Sequence, residues 1–259
     1  MGIKIGNQKS KKGSGTVQWE EAPTTLTRKC VFMSIFGGTG SGRTSLALTA
    51  PGPIALIHAA EKLEGVVQPA AQEKEVRLHN FGGSFGGGPN EIAKAASKNI
   101  GEMKEAWTDA FSWARTIIVD THTEAWELLR LARFGTLTPR GHIASMYAPV
   151  NAEWSSLLKQ FRGQSSTNVI LIGQTRERYK NDKATGIMEQ AGQKSVPYYS
   201  DVIIETSRNI MKKKEADFVA TIKKGWWNAH TEGLEIEDED ISFSYLMSLI
   251  SETEEEEWA

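Results

Sequence analysis

The sequence predicts an α/β domain: a central, mostly parallel sheet flanked by helices, with an antiparallel edge towards the C-terminus. Three observations predict it. Short apolar runs at 31–35, 54–58, 116–120 and 169–173 alternate with segments of helical periodicity, the pattern of parallel strands buried on both faces. A glycine-rich turn separates the first of these runs from the first helix. Finally, runs at 202–207, 218–223 and 234–236 are joined by connections too short for crossover helices, so they pair antiparallel.

The glycine-rich turn organises the rest. Residues 36–46 read Phe-Gly-Gly-Thr-Gly-Ser-Gly-Arg-Thr-Ser-Leu. Gly37 and Gly42 stand five apart and are followed by Arg43 and Thr44, the phosphate-loop pattern G-x-x-x-x-G-K-[ST] with Arg43 in place of Lys. Glycines let the backbone curl until successive N–H groups point at phosphate oxygens, and the following helix adds partial positive charge. The nucleotide-binding candidates are therefore Gly37, Gly38, Thr39, Gly40, Ser41, Gly42, Arg43, Thr44 and Ser45. Thr44 offers a hydroxyl to Mg²⁺, and Arg43 reaches the β/γ-phosphates. A planar guanidinium is no equivalent of a compact ammonium. Nucleotide binding is expected to survive the exchange, with hydrolysis slow or conditional.

Composition narrows the class. The 259 residues suffice for one large α/β domain. A single cysteine, Cys30, leaves no disulfide within the chain and suits a reducing cytoplasm. No apolar run approaches the roughly 20 residues of a membrane span, and the Lys-dotted start is no secretory signal. The net charge of −2 conceals an asymmetry: residues 232–259 hold 11 of the 32 acids and no Lys or Arg, leaving a net of +9 on residues 1–231. A positive body with a negative tail suits a nucleic-acid binder carrying its own polyanion mimic, or simply a protein with a solvated acidic terminus.

Taken in order, residues 1–16 are a basic arm with four lysines and four glycines, and 17–250 form the domain. A short strand is expected at 17–19, ahead of the strand that feeds the loop. Pro51-Gly-Pro breaks the chain before the 54–58 strand, and Glu61 lies just past that strand's end, where parallel sheets meet ligands. Glu61 is a candidate base for a water molecule. Residues 82–88 (GGSFGGG) read as a connector. Ile92, Ala96, Ile100, Met103, Trp107 and Phe111 then recur at helical spacing and form a core stripe. The run Thr116-Ile-Ile-Val-Asp120 ends in an acid, as required of a carboxylate that shares Mg²⁺ with Thr44. Helices are expected at 123–134 and 151–161, separated by a polar segment, 135–147, with Arg140 and His142. After the 169–173 strand comes Gln174-Thr-Arg176, then a long polar loop, 177–197. Lys212–214 occupy a turn, Lys223 and Lys224 end a strand, and 241–250 is a short helix. The tail, 251–259, carries four consecutive glutamates and an exposed Trp258.

This order of motifs resembles the RecA-like recombinase core, over roughly residues 27–237. It is most similar to the short, phage-encoded RecA-like P-loop ATPases of the single-strand annealing type, which lack RecA's extra terminal domains. The resemblance implies a RecA-like P-loop NTPase with ATP and Mg²⁺ as cofactors. Arg43 and Thr44 would handle phosphates and metal, Asp120 would hold the Mg²⁺ shell, and Glu61, or the position of Ala60 beside it, would polarise water. Gln174 would sense the γ-phosphate. The segments 135–147 and 177–197 would face a ring or filament axis and contact single-stranded DNA through Arg140, Arg176, Arg178, Lys180 and Lys183. Lys223 and Lys224 would reach a neighbouring subunit's nucleotide, so the site would be complete only in a homo-oligomer.

The resemblance implies a DNA-stimulated ATPase in annealing, recombination or replication of phage DNA, in the host cytoplasm. Two other readings stand beside it. One is a non-hydrolysing, nucleotide-regulated scaffold that coats DNA. The other is a P-loop phosphotransferase, against which stands the lack of an Arg-rich lid. The acidic tail would either compete for the DNA channel or dock a replication or recombination protein.

Overall fold

The computed structural model describes residues 30–59, 63–139, 141, 144–163, 166–180, 183–209, 217–237 and 241–259. The expected basic arm, the strand at 17–19, Glu61, Arg140, His142 and the lysines of 212–214 lie outside the described residues.

Ten strands are present among them: β1 (Phe32–Gly37), β2 (Ile54–His58), β3 (Val76–Asn80), β4 (Thr116–Asp120), β5 (Asn168–Gly173), β6 (Thr175–Lys180), β7 (Lys183–Gln190), β8 (Val202–Asn209), β9 (Asp217–Gly225) and β10 (Glu235–Glu237). Eight form one sheet in the order β10-β9-β8-β1-β5-β4-β2-β3. Strands β8, β1, β5, β4, β2 and β3 run parallel, and β9 and β10 close the sheet antiparallel. That is the expected architecture. Register does the rest: Phe36 stands opposite Gly173, and Asp120 opposite Ile172, so the ends of β1, β5 and β4 finish side by side.

Two apolar layers sandwich the sheet. On one face lie α3 (Pro89–Ala110), α4 (His122–Phe134) and α5 (Ala148–Arg162), the expected helical stripe burying Ala96, Ile100, Met103 and Trp107. Trp107 stacks on Phe161 of α5 with ring centroids 3.3 Å apart. On the other face lie α1 (Arg43–Leu48), α2 (Glu64–Glu73) and α7 (Phe243–Ser251). Lys74 ties α2 to α1 by donating to the carbonyls of Leu48 and Ala50, the free acceptors of a helix C-terminus.

Three findings depart from the sequence reading. The segment 62–81 contains α2 and β3, which the reading did not contain. Pro69 interrupts the helical pattern of α2, and β3 is a half-exposed edge strand with little apolar alternation. Second, residues 177–197 are not a structureless loop. β6 and β7 form a two-stranded hairpin, and α6 (Val196–Tyr199) follows it. β7 is largely exposed and its large apolar residues, Ile187 and Met188, are adjacent, so no period-two apolar pattern marks it. Third, Trp258 is not exposed. It is 4% accessible, packs beside Trp227 and Phe243, and donates from Nε1 to Ser251 Oγ and Thr253 Oγ1. The acidic residues 254–257 stay on the surface while the aromatic holds the tail down.

Candidate nucleotide site

β1 is buried along its length and delivers Gly37 to the sheet's C-terminal end. A side chain there would collide with the Thr206 carbonyl of β8 and with Ser41 Oγ, so glycine is required by space. Ser41 Oγ and Thr206 Oγ1 lie 2.8 Å apart and pin the base of the loop. Gly40 and Gly42 have φ of 73° and 82°, the left-handed region that turns the chain back towards α1. Gly38, Thr39 and Gly40 crown the loop in solvent, and added Cβ atoms at Gly38 and Gly40 would meet nothing within 4 Å. The crown of the loop is therefore open. With α1 only six residues long, the loop's own N–H groups, more than a helix dipole, supply its positive potential.

Thr44 Oγ1 donates to Asp120 Oδ2 at 2.7 Å. This pair joins the first residues of α1 to the end of β4, two sheet positions from β1. Burial pushes the Asp120 carboxyl above its ordinary value, while the Thr44 hydrogen bond and the charges of Arg43 and His58 pull it down. Among the described residues no group of three or more His, Cys, Asp or Glu gathers to hold a metal ion. A hydroxyl and one carboxylate nonetheless fit Mg²⁺, which completes its shell with phosphate oxygens and water.

Arg43 turns to the end of β5, where Nη1 donates to the Gly173 carbonyl at 2.6 Å. Burial lowers its pKa, and the charges of Asp120 and Glu124 raise it. To touch a phosphate the guanidinium must leave that carbonyl or share itself between the two.

Residues 31–233 match the family described as AAA domain. The chain belongs to the AAA-domain family. No curated protein matches it. Among solved structures it is similar to the flagellar accessory protein FlaH from Methanocaldococcus jannaschii, at 10% identity and a TM-score of 0.39 over 81% of this chain and 84% of that one. It is also similar to the ATPase domain of G40P, at 11% identity and 0.38 over 81% and 80%. Both are distant likenesses.

The other expected site residues of this AAA domain are dispersed. Gln174 sits directly after Gly173, exposed, with its N–H on Thr123 Oγ1 at 3.2 Å and its carbonyl accepting from Ala191. Arg176 pairs with Glu189 across the hairpin at 2.9 Å; Arg178 and Lys183 are exposed on the same hairpin, to whose backbone Lys180 also belongs. Lys223 pairs with Glu205 at 3.0 Å. Lys224 donates to the carbonyls of Pro197 (3.1 Å) and Ser200, at the end of the sheet away from the loop. Among the described residues, neither lysine bonds to its own chain's phosphate loop.

The structure adds residues the sequence reading lacked. Phe218 of β9 lies against Gly42, with Arg208 5.4 Å above its ring. Together with Thr206, Leu46, Thr49 and Ile241 it walls a cavity of about 190 Å³ beside the loop. These residues are far apart in sequence, and only the β8–β9 pairing assembles them. Glu124, in the first turn of α4, hydrogen-bonds Thr121, and burial raises its carboxyl pKa. Its spacing from Thr121 is a capping-box signal, legible as a helix start but not as an acid near Arg43.

Proposed function

We propose that this AAA domain binds magnesium ATP and works as a subunit of an oligomer on single-stranded DNA, in annealing, recombination or replication. The observation that carries the nucleotide part is the 2.7 Å bond from Thr44 to Asp120 beside an open glycine cradle. The N–H groups of residues 38–44 would hold the phosphates, and the cavity walled by Phe218 and Ile241 would take the base. Magnesium, when bound, neutralises charge between phosphate oxygens, and Thr44 and Asp120 are the residues that would hold it. Glu61 remains the proposed water-polarising group and Gln174 the γ-phosphate sensor.

The DNA part rests on the hairpin that leaves the site immediately after Gly173. Arg176, Arg178, Lys180 and Lys183 lie along it, and Arg140 belongs to the other proposed contact segment. Lys223 and Lys224 would act across a subunit boundary. Among the described residues no helix is long and apolar enough to cross a membrane.

The placement of Arg43 on the Gly173 carbonyl favours a second reading, in which nucleotide is bound and hydrolysed little, and the protein serves as a nucleotide-regulated scaffold. One experiment separates the readings. Binding of a fluorescent ATP analogue with magnesium is titrated for the parent, Thr44→Ala and Asp120→Asn, and phosphate release is followed with and without oligo(dT). Weakening by about tenfold or more in both variants is expected, with turnover rising on DNA. Unchanged affinity in both variants removes the nucleotide reading. Intact binding without turnover selects the scaffold, and transfer to a small acceptor selects a phosphotransferase.

A further inference from the structure

A second carboxylate stands close to the nucleotide site, on α4. Glu124 follows Asp120 by four residues, in the first turn of the helix that leaves the end of β4, and it is half-buried. Its charge acts on both Asp120 and Arg43, the residues proposed to meet magnesium and phosphate, and it bonds to neither. It also walls a cavity of about 190 Å³ at the C-terminal end of the sheet, together with Ala59, Phe81, Gly82, Glu127 and Leu128. The Ala59 N–H donates to the Asp120 carbonyl at 2.9 Å, so this cavity borders the end of β4.

Helix capping accounts for only part of this residue. Thr121 Oγ1 accepts from the Glu124 N–H and donates to Glu124 Oε2, each at 3.2 Å, a reciprocal pair that starts the helix. That pair engages one carboxylate oxygen. Among the described residues Oε1 accepts no hydrogen bond, and the carboxylate forms no ion pair. Glutamine serves such a capping position as well as glutamate, so the cap does not need the charge. The charge is in fact opposed: burial disfavours it, Asp120 and Glu127 repel it, and an incoming triphosphate would repel it further. What a free carboxylate oxygen does supply here is a base for water, and the raised proton affinity of a half-buried acid strengthens that base.

We propose that Glu124 is a catalytic residue for ATP hydrolysis, holding the attacking water on Oε1 beside the proposed Glu61. The water oxygen bonds to the γ-phosphorus while its proton passes to the Glu124 carboxylate. The bond from that phosphorus to the β–γ bridging oxygen breaks, and its electron pair leaves on ADP. Glu124 then returns the proton to solvent. The inference rests on the reading of this site as one for magnesium ATP, and adds which acid of the described fold acts on the water.

The test follows phosphate release from magnesium ATP, with and without oligo(dT), for the full chain and its Glu124→Gln, Glu127→Gln and Glu61→Gln variants. Affinity for the fluorescent ATP analogue and the urea midpoint by circular dichroism are measured alongside. Glu124→Gln keeps an oxygen for Thr121, so its midpoint should match the parent's. Its phosphate release should fall about 100-fold or more. Its affinity for the analogue should hold, or tighten by up to about tenfold, because a nearby negative charge is gone. Glu127→Gln, on the same cavity, should release phosphate at the parent's rate. Release within about threefold of the parent in folded Glu124→Gln overturns the assignment; if Glu61→Gln is then silent, hydrolysis stands with Glu61 as its base. Release and affinity falling together, or a lowered midpoint, overturns it in favour of a capping role. A parent that binds the analogue but releases no phosphate removes the assignment and leaves the nucleotide reading. A parent that binds none removes both.

Discussion

Replacing Trp258 by alanine tests whether the acidic terminus is a loose tail or part of the fold. A tryptophan side chain buries about 150–250 Å², and at about 25 cal/mol per Å² this corresponds to about 4–6 kcal/mol. A compact denatured chain already hides part of that area, so the sum is an upper bound. The hydrogen bonds add little, because Ser251 and Thr253 stay within 2.8 Å of each other and Ser251 also donates to Met247 once the indole is gone. Packing therefore dominates, and Trp258→Ala should lose about 3–4 kcal/mol. For a chain of this size that is a fall of about 6–16 °C in Tm. Urea and thermal unfolding followed by circular dichroism read it directly. Trp258→Phe should lose much less. Neutralising the glutamates at 254–257 to Gln should cost under about 0.5 kcal/mol, since Glu255 is the one of the four seen accepting hydroxyls, from Ser244 and Ser242. If Trp258→Ala unfolds within about 0.5 kcal/mol of the parent, the tail is not anchored as described. The same reasoning makes truncation at 252 a poor probe of DNA competition, because it removes the anchor with the charges.

Gly37→Ala should abolish binding of the fluorescent ATP analogue and cost at least about 2 kcal/mol in urea unfolding, since its Cβ would strike the Thr206 main chain. Gly38→Ala, with open space around it, should leave stability within about 0.5 kcal/mol. Arg43→Lys should keep nucleotide affinity and raise turnover, because it restores a compact charge and gives up the Gly173 bond; unchanged phosphate release would show that Arg43 is not what limits hydrolysis.

Much of this was legible in the chain, for identifiable reasons. Strands buried on both faces announce themselves as continuous apolar runs, so β1, β2, β4 and β5 could be placed to within a residue or two. The loop and Asp120 were legible because phosphate chemistry constrains residue type and spacing tightly, and the structure brings Thr44 and Asp120 into contact. Where burial is partial the signal fades: β3, α2 and the hairpin carry mixed polarity. Trp258 looked exposed because its neighbours are glutamates, yet what buries it, Trp227 and Phe243, lies 31 and 15 positions away. Likewise Phe218 reaches Gly42 only through strand order, which no local pattern encodes.

The root of the hairpin is where the nucleotide and DNA proposals meet physically. Arg43 from the loop holds the Gly173 carbonyl, Thr123 from α4 holds the Gln174 N–H, and Gln190 at the far end of β7 reaches Ser34 of β1 and His122, each at 2.7 Å. His122 is fully buried, its pKa pushed down to about 4, so this anchor is neutral and does not change with ordinary pH. Arg43 is therefore the charged member of the set, and it alone also belongs to the phosphate loop. If a bound phosphate draws its guanidinium off Gly173, the hairpin loses one of its holds while keeping the neutral ones. Linkage then requires the converse: whatever fixes the hairpin with that bond intact must weaken the grip on phosphate by the same factor.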